Sequence, residues 1–118
     1  MQTKNRSKKK IILKTFDNIH LVKLNDIVYC ESNDNYTNFH LINSKTILVS
    51  TTLKEYDEML SEFGFFRAHK SYLVNLAHIE RFEKVEGGSI ILADEIKIPV
   101  ASRKKEQLLE MLHRITEN

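Results

Sequence analysis

Short apolar segments separated by turn-forming residues recur along this chain from residue 11 to residue 100, and their lengths favour β-strands over helices. Segments 11–16 and 19–24 flank Asp17-Asn18, a pair that suits a two-residue hairpin turn. Further strands are predicted at 27–32, 36–42, 46–50, 72–76, 79–86, 89–93 and 96–100. Gly87-Gly88, between two of these segments, is typical of a hairpin turn. The sequence therefore predicts a mostly β, multi-stranded antiparallel fold.

One helix is predicted at about residues 52–62. Thr52 and Glu55 have the spacing of a capping box, and Gly64 suits the left-handed conformation that ends many helices. The apolar residues of this segment share one helical face: Leu53, Tyr56, Leu60 and Phe63. Its other residues are mostly acidic, so this helix is expected to point away from any bound nucleic acid.

A second helix is predicted at about residues 103–116, with Ser102 as its N-cap. Its apolar face is formed by Leu108, Leu109, Met111, Leu112 and Ile115. Arg103, Lys104 and Lys105 would occupy the first turn, where the helix dipole disfavours each cation by about 0.3–1 kcal/mol. A bound phosphate would reverse that sign, which makes these residues candidates for an anion contact. The alternative is that the three side chains simply extend into water.

The segment 65–75 sets a polar, basic cluster between two apolar blocks, which is the layout of a loop that presents its side chains. Arg67, His69, Lys70 and Ser71 supply the hydrogen-bond donors of this cluster. Donors in a row suit a phosphate or the edge of a base, because arginine can form a bidentate fork and lysine adds a point charge. A solvated surface loop remains the alternative.

Charge is distributed unevenly along the chain. The net charge is +2, but residues 1–14 hold six cations and no acid, so the remainder carries −4. A domain that is acidic on balance can bind DNA only through a focused basic patch. Residues 1–10 are predicted to be a basic linker or disordered N-terminus rather than a DNA-binding arm, followed by one domain at 11–118.

Several classes of protein are disfavoured by the sequence. No apolar run approaches the roughly 18 residues that span a bilayer, and no secretory signal is apparent, so a cytoplasmic protein without membrane contact is expected. Cys30 is the single cysteine, and the five histidines lack the spacing of a metal site. No glycine-rich phosphate loop is present either. We therefore predict no enzyme activity, no cofactor and no metal.

Three motifs together resemble the LytTR domain of bacterial transcription regulators. The first is Ile27-Val28-Tyr29-Cys30-Glu31-Ser32, followed by a polar loop that ends at Tyr36. The second is Phe66-Arg67-Ala68-His69-Lys70-Ser71-Tyr72-Leu73-Val74-Asn75, with Ile79 after it. The third is Ile98-Pro99-Val100 with Ser102-Arg103. The resemblance covers nearly the whole chain and implies an elongated, mostly β domain with short helices, which places loops in successive major grooves of DNA.

The resemblance also implies which residues contact DNA. Asn35 and Tyr36 represent the first loop, and His69, Lys70 and Ser71 the second. Arg67 is expected to be either a phosphate contact or a structural ion pair. In the third loop Arg103 is the candidate base reader, with Lys104 and Lys105 on phosphates. Asn75 is expected to satisfy buried backbone groups instead of touching DNA.

The implied function is sequence-specific binding of double-stranded DNA by a transcription regulator, as the output domain of a two-component response regulator. Its expected partners are promoter direct repeats, a second copy of itself on DNA, and a receiver domain or sensor kinase in the parent system. The alternative is a β-rich RNA-binding or protein-interaction module. RNA readers stack bases on exposed aromatic rings, whereas most aromatic residues here occupy predicted core positions, Tyr36 excepted.

Overall fold

The computed structural model describes residues 9–116, which contain ten β-strands and two α-helices. The strands are β1 Lys10–Lys14, β2 Ile19–Lys23, β3 Ile27–Asn33, β4 Tyr36–Leu41, β5 Thr46–Val49, β6 Phe65–His69, β7 Tyr72–Asn75, β8 Ile79–Glu83, β9 Ser89–Leu92 and β10 Ile96–Pro99. The helices are α1 Leu53–Leu60 and α2 Lys105–Thr116. The predicted mostly β architecture is confirmed. The predicted linker at 1–10 lies outside the described residues except for Lys9 and Lys10, and β1 begins at Lys10.

The strands form three sheets, and every pairing is antiparallel. β1 and β2 form a hairpin, β5-β4-β3-β7-β6 form a five-stranded sheet, and β10-β9-β8 form a three-stranded sheet. The described residues extend over 42 × 30 × 25 Å. The five-stranded sheet is the central layer, because successive residues of its strands contribute to two different hydrophobic clusters.

One face of the central sheet is covered by the β1–β2 hairpin and α1. Phe65 of β6 and Leu73 of β7 point to this side, where they join Leu13 of the hairpin and Leu60 of α1 in one buried cluster. Phe39 lies edge-on to the α1 residue Tyr56, with ring centroids 4.7 Å apart. Leu53, Tyr56 and Leu60 are buried and Phe63 partly buried, which confirms the predicted apolar face of this helix.

The opposite face is covered by the three-stranded sheet and α2. Phe66 and Val74, each one residue after a member of the first cluster, point to this side because side chains alternate along a strand. Leu108, Met111 and Leu112 of α2 pack here. Leu109 and Ile115 are exposed, so the predicted apolar face of this helix is narrower than expected. Leu109 follows Leu108 directly and is therefore rotated by about 100° around the helix.

The start and end of α1 follow the local sequence as predicted. The Thr52 side chain accepts a hydrogen bond from the Glu55 backbone N–H at 3.4 Å, which is half of a capping box. A 3₁₀ turn, Ser61–Phe63, follows the helix, and Gly64 adopts a φ of 88°. Glycine adopts this left-handed conformation without steric cost, so the chain can turn directly into β6.

The first hairpin turn is longer than predicted. β1 and β2 pair as far as Lys14 and Ile19, which leaves four residues between them instead of the pair Asp17-Asn18. The Thr15 backbone N–H donates to the Asn18 carbonyl at 2.9 Å, and the Thr15 side chain accepts from the Asn18 N–H at 3.2 Å. These bonds close the turn around Thr15, so pairing of the first strand stops two residues earlier than predicted.

The segment predicted as a presenting loop at Arg67–Ser71 is largely a strand. β6 extends to His69, and only Lys70 and Ser71 form the turn to β7. Ala68 is an extra residue in the pairing of β6 with β7, a β-bulge. Buried Phe66 and Ala68 alternate with the less buried Arg67 and His69, which is a strand pattern that the prediction passed over in favour of the polar, basic cluster.

Ser102 is not the N-cap of the second helix, contrary to the prediction. A 3₁₀ turn, Ser102–Lys104, precedes α2, and its N-cap position is Ala101, which makes no side-chain cap bond. The Lys104 N–H donates to the Ala101 carbonyl at 2.8 Å, so winding begins one residue before Ser102. Neither α1 nor α2 has the length and hydropathy of a membrane-spanning helix among the described residues.

Candidate nucleic-acid interface

Two turns lie at the same end of the central sheet. They are the β3–β4 turn at 34–35, called here the first loop, and the β6–β7 turn at 70–71, the second loop. β3 pairs antiparallel with both β4 and β7, which brings its C-terminal end to the start of each partner. The Ser32 backbone N–H donates to the Ser71 carbonyl at 2.9 Å. This bond ties the two loops together directly.

The segment between β10 and α2, called the third loop (100–104), lies beside the second. The Ala101 backbone N–H donates to the Ala68 carbonyl at 2.8 Å. Ala68 belongs to β6, the edge strand of the central sheet, and precedes Lys70 by two residues. Arg103 follows Ala101 by two residues. The third loop is therefore anchored beside the end of β6 that leads into the second loop.

The first loop exposes few donors. Asn33 pairs with Tyr36, so Asp34 and Asn35 form the tip, and Asp34 adopts a φ of 56° that aspartate tolerates better than most residues. Asn35 is exposed, and Tyr36 is 48% exposed. The Asp34 carboxylate disfavours phosphate at this tip, because like charges repel. The amide of Asn35 and the hydroxyl of Tyr36 remain as the groups that suit base edges.

The second loop exposes Lys70, and hydrogen bonds among the neighbouring residues fix the conformation of the turn. Lys70 is exposed and forms no ion pair with any residue from 9 to 116. His69 Nδ1 accepts a hydrogen bond from the Ser71 backbone N–H at 3.1 Å. Because Nδ1 acts as the acceptor, the neutral ring carries its proton on Nε2, which can donate to a ligand. Arg67, by contrast, is directed at the backbone of the turn itself.

The cations of the third loop and of the first residue of α2 differ in how exposed their side chains are. The Arg103 side chain is exposed. Lys104 is half-buried, with its Nζ 5.7 Å from the centre of the Phe66 ring. The Lys105 side chain lies against the β8–β9 turn, where a Cβ placed on Gly88 would approach Lys105 Cε to 3.3 Å. Arg103 is therefore the cation of this loop that is best placed to reach into a groove.

Comparison with known proteins gives the family. The family described as "LytTr DNA-binding domain" matches residues 17–113, which include all three loops. The chain belongs to the LytTr DNA-binding domain family. This membership confirms the predicted class, a DNA-binding domain of transcription regulators and not an enzyme.

Relatives and a solved structure agree with the assignment. The chain is 27% identical over 114 residues to "Sensory transduction protein LytT" of Bacillus subtilis, covering 95% of this chain and 47% of the relative. It is 28% identical over 108 residues to "Transcriptional regulatory protein YpdB" of Escherichia coli K12, covering 82% and 44%. The chain thus spans about half the length of these relatives.

The fold is shared with a solved LytTr domain. That structure is the "LytTr DNA-binding domain of putative methyl-accepting/DNA response regulator" from Bacillus cereus. It superimposes with a TM-score of 0.74 at 23% sequence identity, covering 87% of this chain and 95% of the other. This likeness establishes the fold.

A polar and aromatic network lies behind the second loop of this LytTr domain and was not predicted from the sequence. The Tyr72 hydroxyl donates to Glu31 Oε2 at 3.4 Å, and His40 Nε2 lies 3.1 Å from Glu31 Oε1. His40 stacks on Tyr29 with ring centroids 4.1 Å apart. Burial and the Glu31 carboxylate raise the pKa of Tyr72, so its hydroxyl stays protonated and remains a donor. The network connects β3, β4 and β7 immediately beside the loops.

Asn75 has the structural role that the sequence predicted. Its side chain is fully buried, and Nδ2 donates to the carbonyls of Ile27 at 2.8 Å and Leu24 at 3.2 Å. Its Oδ1 accepts from the Ala77 N–H at 3.0 Å. These bonds join the end of β7 to the turn that precedes β3, away from the loops.

Proposed function

We propose that this LytTr domain binds double-stranded DNA sequence-specifically by placing its three loops in successive major grooves. The observation that carries the proposal is the pair of backbone hydrogen bonds, Ser32 to Ser71 and Ala101 to Ala68, which join the loops into one edge. Successive major grooves on one side of B-DNA are about 34 Å apart. The 42 Å long dimension of the domain exceeds one such spacing and is shorter than two, so the three loops together can reach two successive major grooves.

The proposed contacts follow from exposure. Arg103 is assigned to a base edge, because an exposed guanidinium can form two hydrogen bonds to guanine. Lys70 and the His69 Nε2 proton are assigned to the centre of the contact, and Asn35 with Tyr36 to its other end. Ser71, Lys104 and Lys105 are assigned to phosphates or sugars, which fix the position of the domain on the duplex. The acidic outer side of α1, including exposed Glu55, Glu58 and Glu62, is excluded from the contact.

The proposed biological role is that of an output domain. Relatives about twice as long are named as a sensory transduction protein and a transcriptional regulatory protein. The parent protein is accordingly proposed to carry a receiver domain that accepts phosphate from a sensor kinase in the cytoplasm. Two copies of this domain would then occupy a direct repeat in a promoter.

Selection of bound duplexes from a random pool tests the proposal and yields the site. The recovered duplex is then compared with a scrambled duplex and with single strands by fluorescence anisotropy over a range of salt concentrations. We expect preference for the recovered duplex and a fall in affinity with salt, since several phosphates release counterions. Preference for single-stranded nucleic acid over every duplex would contradict the proposal and favour stacking on exposed Tyr36.

A further inference from the structure

The guanidinium of Arg67 is occupied by the protein itself. Arg67 Nε donates to the His69 carbonyl at 3.0 Å, and Nη2 donates to the Lys70 carbonyl at 2.6 Å. Arg67 Nη1 lies 3.7 Å from Asp57 Oδ2 on α1. Each of the three guanidinium nitrogens thus faces an oxygen atom of this chain.

These contacts conflict with a direct role in DNA binding. The Arg67 side chain is only 21% exposed, and a carboxylate stands beside it. The guanidinium has five N–H groups, so a phosphate oxygen would share it with these carbonyls, and at Nη1 it would approach the Asp57 carboxylate. That approach is unfavourable, because two anions would come close together.

The same contacts fix the conformation of the second loop before DNA arrives. Arg67 binds the carbonyls of His69 and Lys70, which belong to the two peptide groups that flank Lys70. The Ser71 N–H donates to the His69 ring, and the Ser71 carbonyl accepts from the Ser32 N–H. A loop that is already ordered loses less conformational entropy on binding, so more of its contact energy appears as affinity.

We propose that Arg67 is a positioning residue that links α1 to the second loop, and that it contacts no phosphate. The proposal rests on the proposed function, since it specifies how the loop that carries Lys70 is held for DNA. Asp57 completes the link from the helix. The bent β6 strand assists, because the bulge at Ala68 brings Arg67 under the turn.

The first test compares Arg67→Lys and Arg67→Gln with the unchanged protein on the selected duplex and on a scrambled duplex. Lysine keeps the charge but lacks the rigid planar fork with which the guanidinium faces two carbonyls and Asp57. We expect about a tenfold loss on the selected duplex for both variants, with scrambled binding and the salt slope unchanged. A lost phosphate contact would instead lower the slope for Arg67→Gln by roughly 0.9 and weaken both duplexes alike. That second result would overturn the proposal.

The second test uses acids on α1, where the two interpretations predict opposite signs. Asp57→Ala removes the partner of Arg67, and Glu58→Ala is the matched control, since it removes a neighbouring exposed acid. We expect Asp57→Ala to weaken binding of the selected duplex severalfold and Glu58→Ala to leave it unchanged or slightly stronger. Equal strengthening by both variants would mean that Arg67 acts on DNA as a free cation, contrary to the proposal.

A third measurement needs no DNA and separates this inference from the proposed function. Amide hydrogen exchange of Ser71 is followed in the free protein, since its N–H bonds to His69 inside the turn. Exchange should accelerate in Arg67→Lys and not in Lys70→Ala, whose side chain is exposed. Unchanged exchange in Arg67→Lys would contradict the positioning role even if the domain binds DNA. Failure to bind any duplex, with accelerated exchange, would instead reject only the proposed function.

Discussion

Replacement of Asn75 by alanine should destabilise the domain strongly without altering its DNA contacts. The change removes the donor to two buried carbonyls, those of Ile27 and Leu24, and the acceptor for the Ala77 N–H. Ala77 is exposed, so water can replace that bond, and the Leu24 carbonyl still accepts the Ile27 backbone N–H, but the Ile27 carbonyl loses the Asn75 donor. A buried group left unsatisfied costs about 1–3 kcal/mol, which is the loss expected here. Small domains have only about 5–15 kcal/mol of stability to lose.

Urea unfolding followed by circular dichroism measures the loss in free energy of unfolding. Asn38→Ala on β4 is the control, since Asn38 is half-buried and its change should stay within about 0.5 kcal/mol. Under conditions where Asn75→Ala is fully folded, its affinity for the selected duplex should equal that of the unchanged protein. A loss of stability below about 1 kcal/mol would refute the reasoning that these buried bonds hold the turn before β3.

Three further predictions address other parts of the molecule. Gly88→Ala should lower the free energy of unfolding in urea more than Gly87→Ala. Both residues have positive φ, but only at Gly88 would the new Cβ lie 2.6 Å from Phe82 Cζ. Equal losses would contradict the packing of this turn. Cys30 should not react with a thiol reagent at pH 8 until the protein unfolds, because burial raises the pKa of its thiol and keeps the thiol protonated in the folded state. Rapid modification of the native protein would contradict its burial. Arg103→Ala should reduce the preference for the selected duplex over a scrambled one by about 1–3 kcal/mol, whereas Lys105→Ala should weaken binding of both duplexes alike. If Arg103→Ala weakened both duplexes equally, Arg103 would be rejected as the base reader.

Local features of the fold were predictable because neighbouring residues determine them. Thr52 and Gly64 mark the start and the end region of α1 through interactions within a few residues, and both are found as predicted. The short strands after Ile27 were also recognisable as apolar segments separated by turn-forming residues. Asn75 belonged to a recognisable motif, although its partners lie about 50 residues away.

Features that depend on distant pairing were missed. Ser102 failed as an N-cap because Ala101 is held by Ala68, a contact between segments more than 30 positions apart that no local pattern reveals. β6 was taken for a loop because its polar, basic residues stand between two apolar blocks, and its pairing with β7 was not visible in the sequence. The Tyr72–Glu31–His40 network forms because Glu31 of β3 pairs with Tyr72 of β7. That register depends on how distant strands pair, which the sequence does not reveal.

The predicted site residues differ in how far their roles could be read. Lys70 and Arg103 could be expected near each other from the family resemblance, and the Ala101–Ala68 bond joins the strand before Lys70 to the segment before Arg103. Arg67 could not be assigned from the sequence, since an arginine in a basic segment suits a phosphate contact and a structural ion pair equally. The directions of its three nitrogens, toward His69, Lys70 and Asp57, separate the two roles.

The central claim is that three separate loops form one DNA-binding edge, and amide chemical-shift mapping by nuclear magnetic resonance tests it most directly. The isotope-labelled domain is titrated with the selected duplex. We expect the largest shifts to concentrate at 33–36, 69–71 and 101–105, with small shifts on the acidic outer side of α1. Shifts confined to one loop, or centred on α1 around Glu58, would contradict the account.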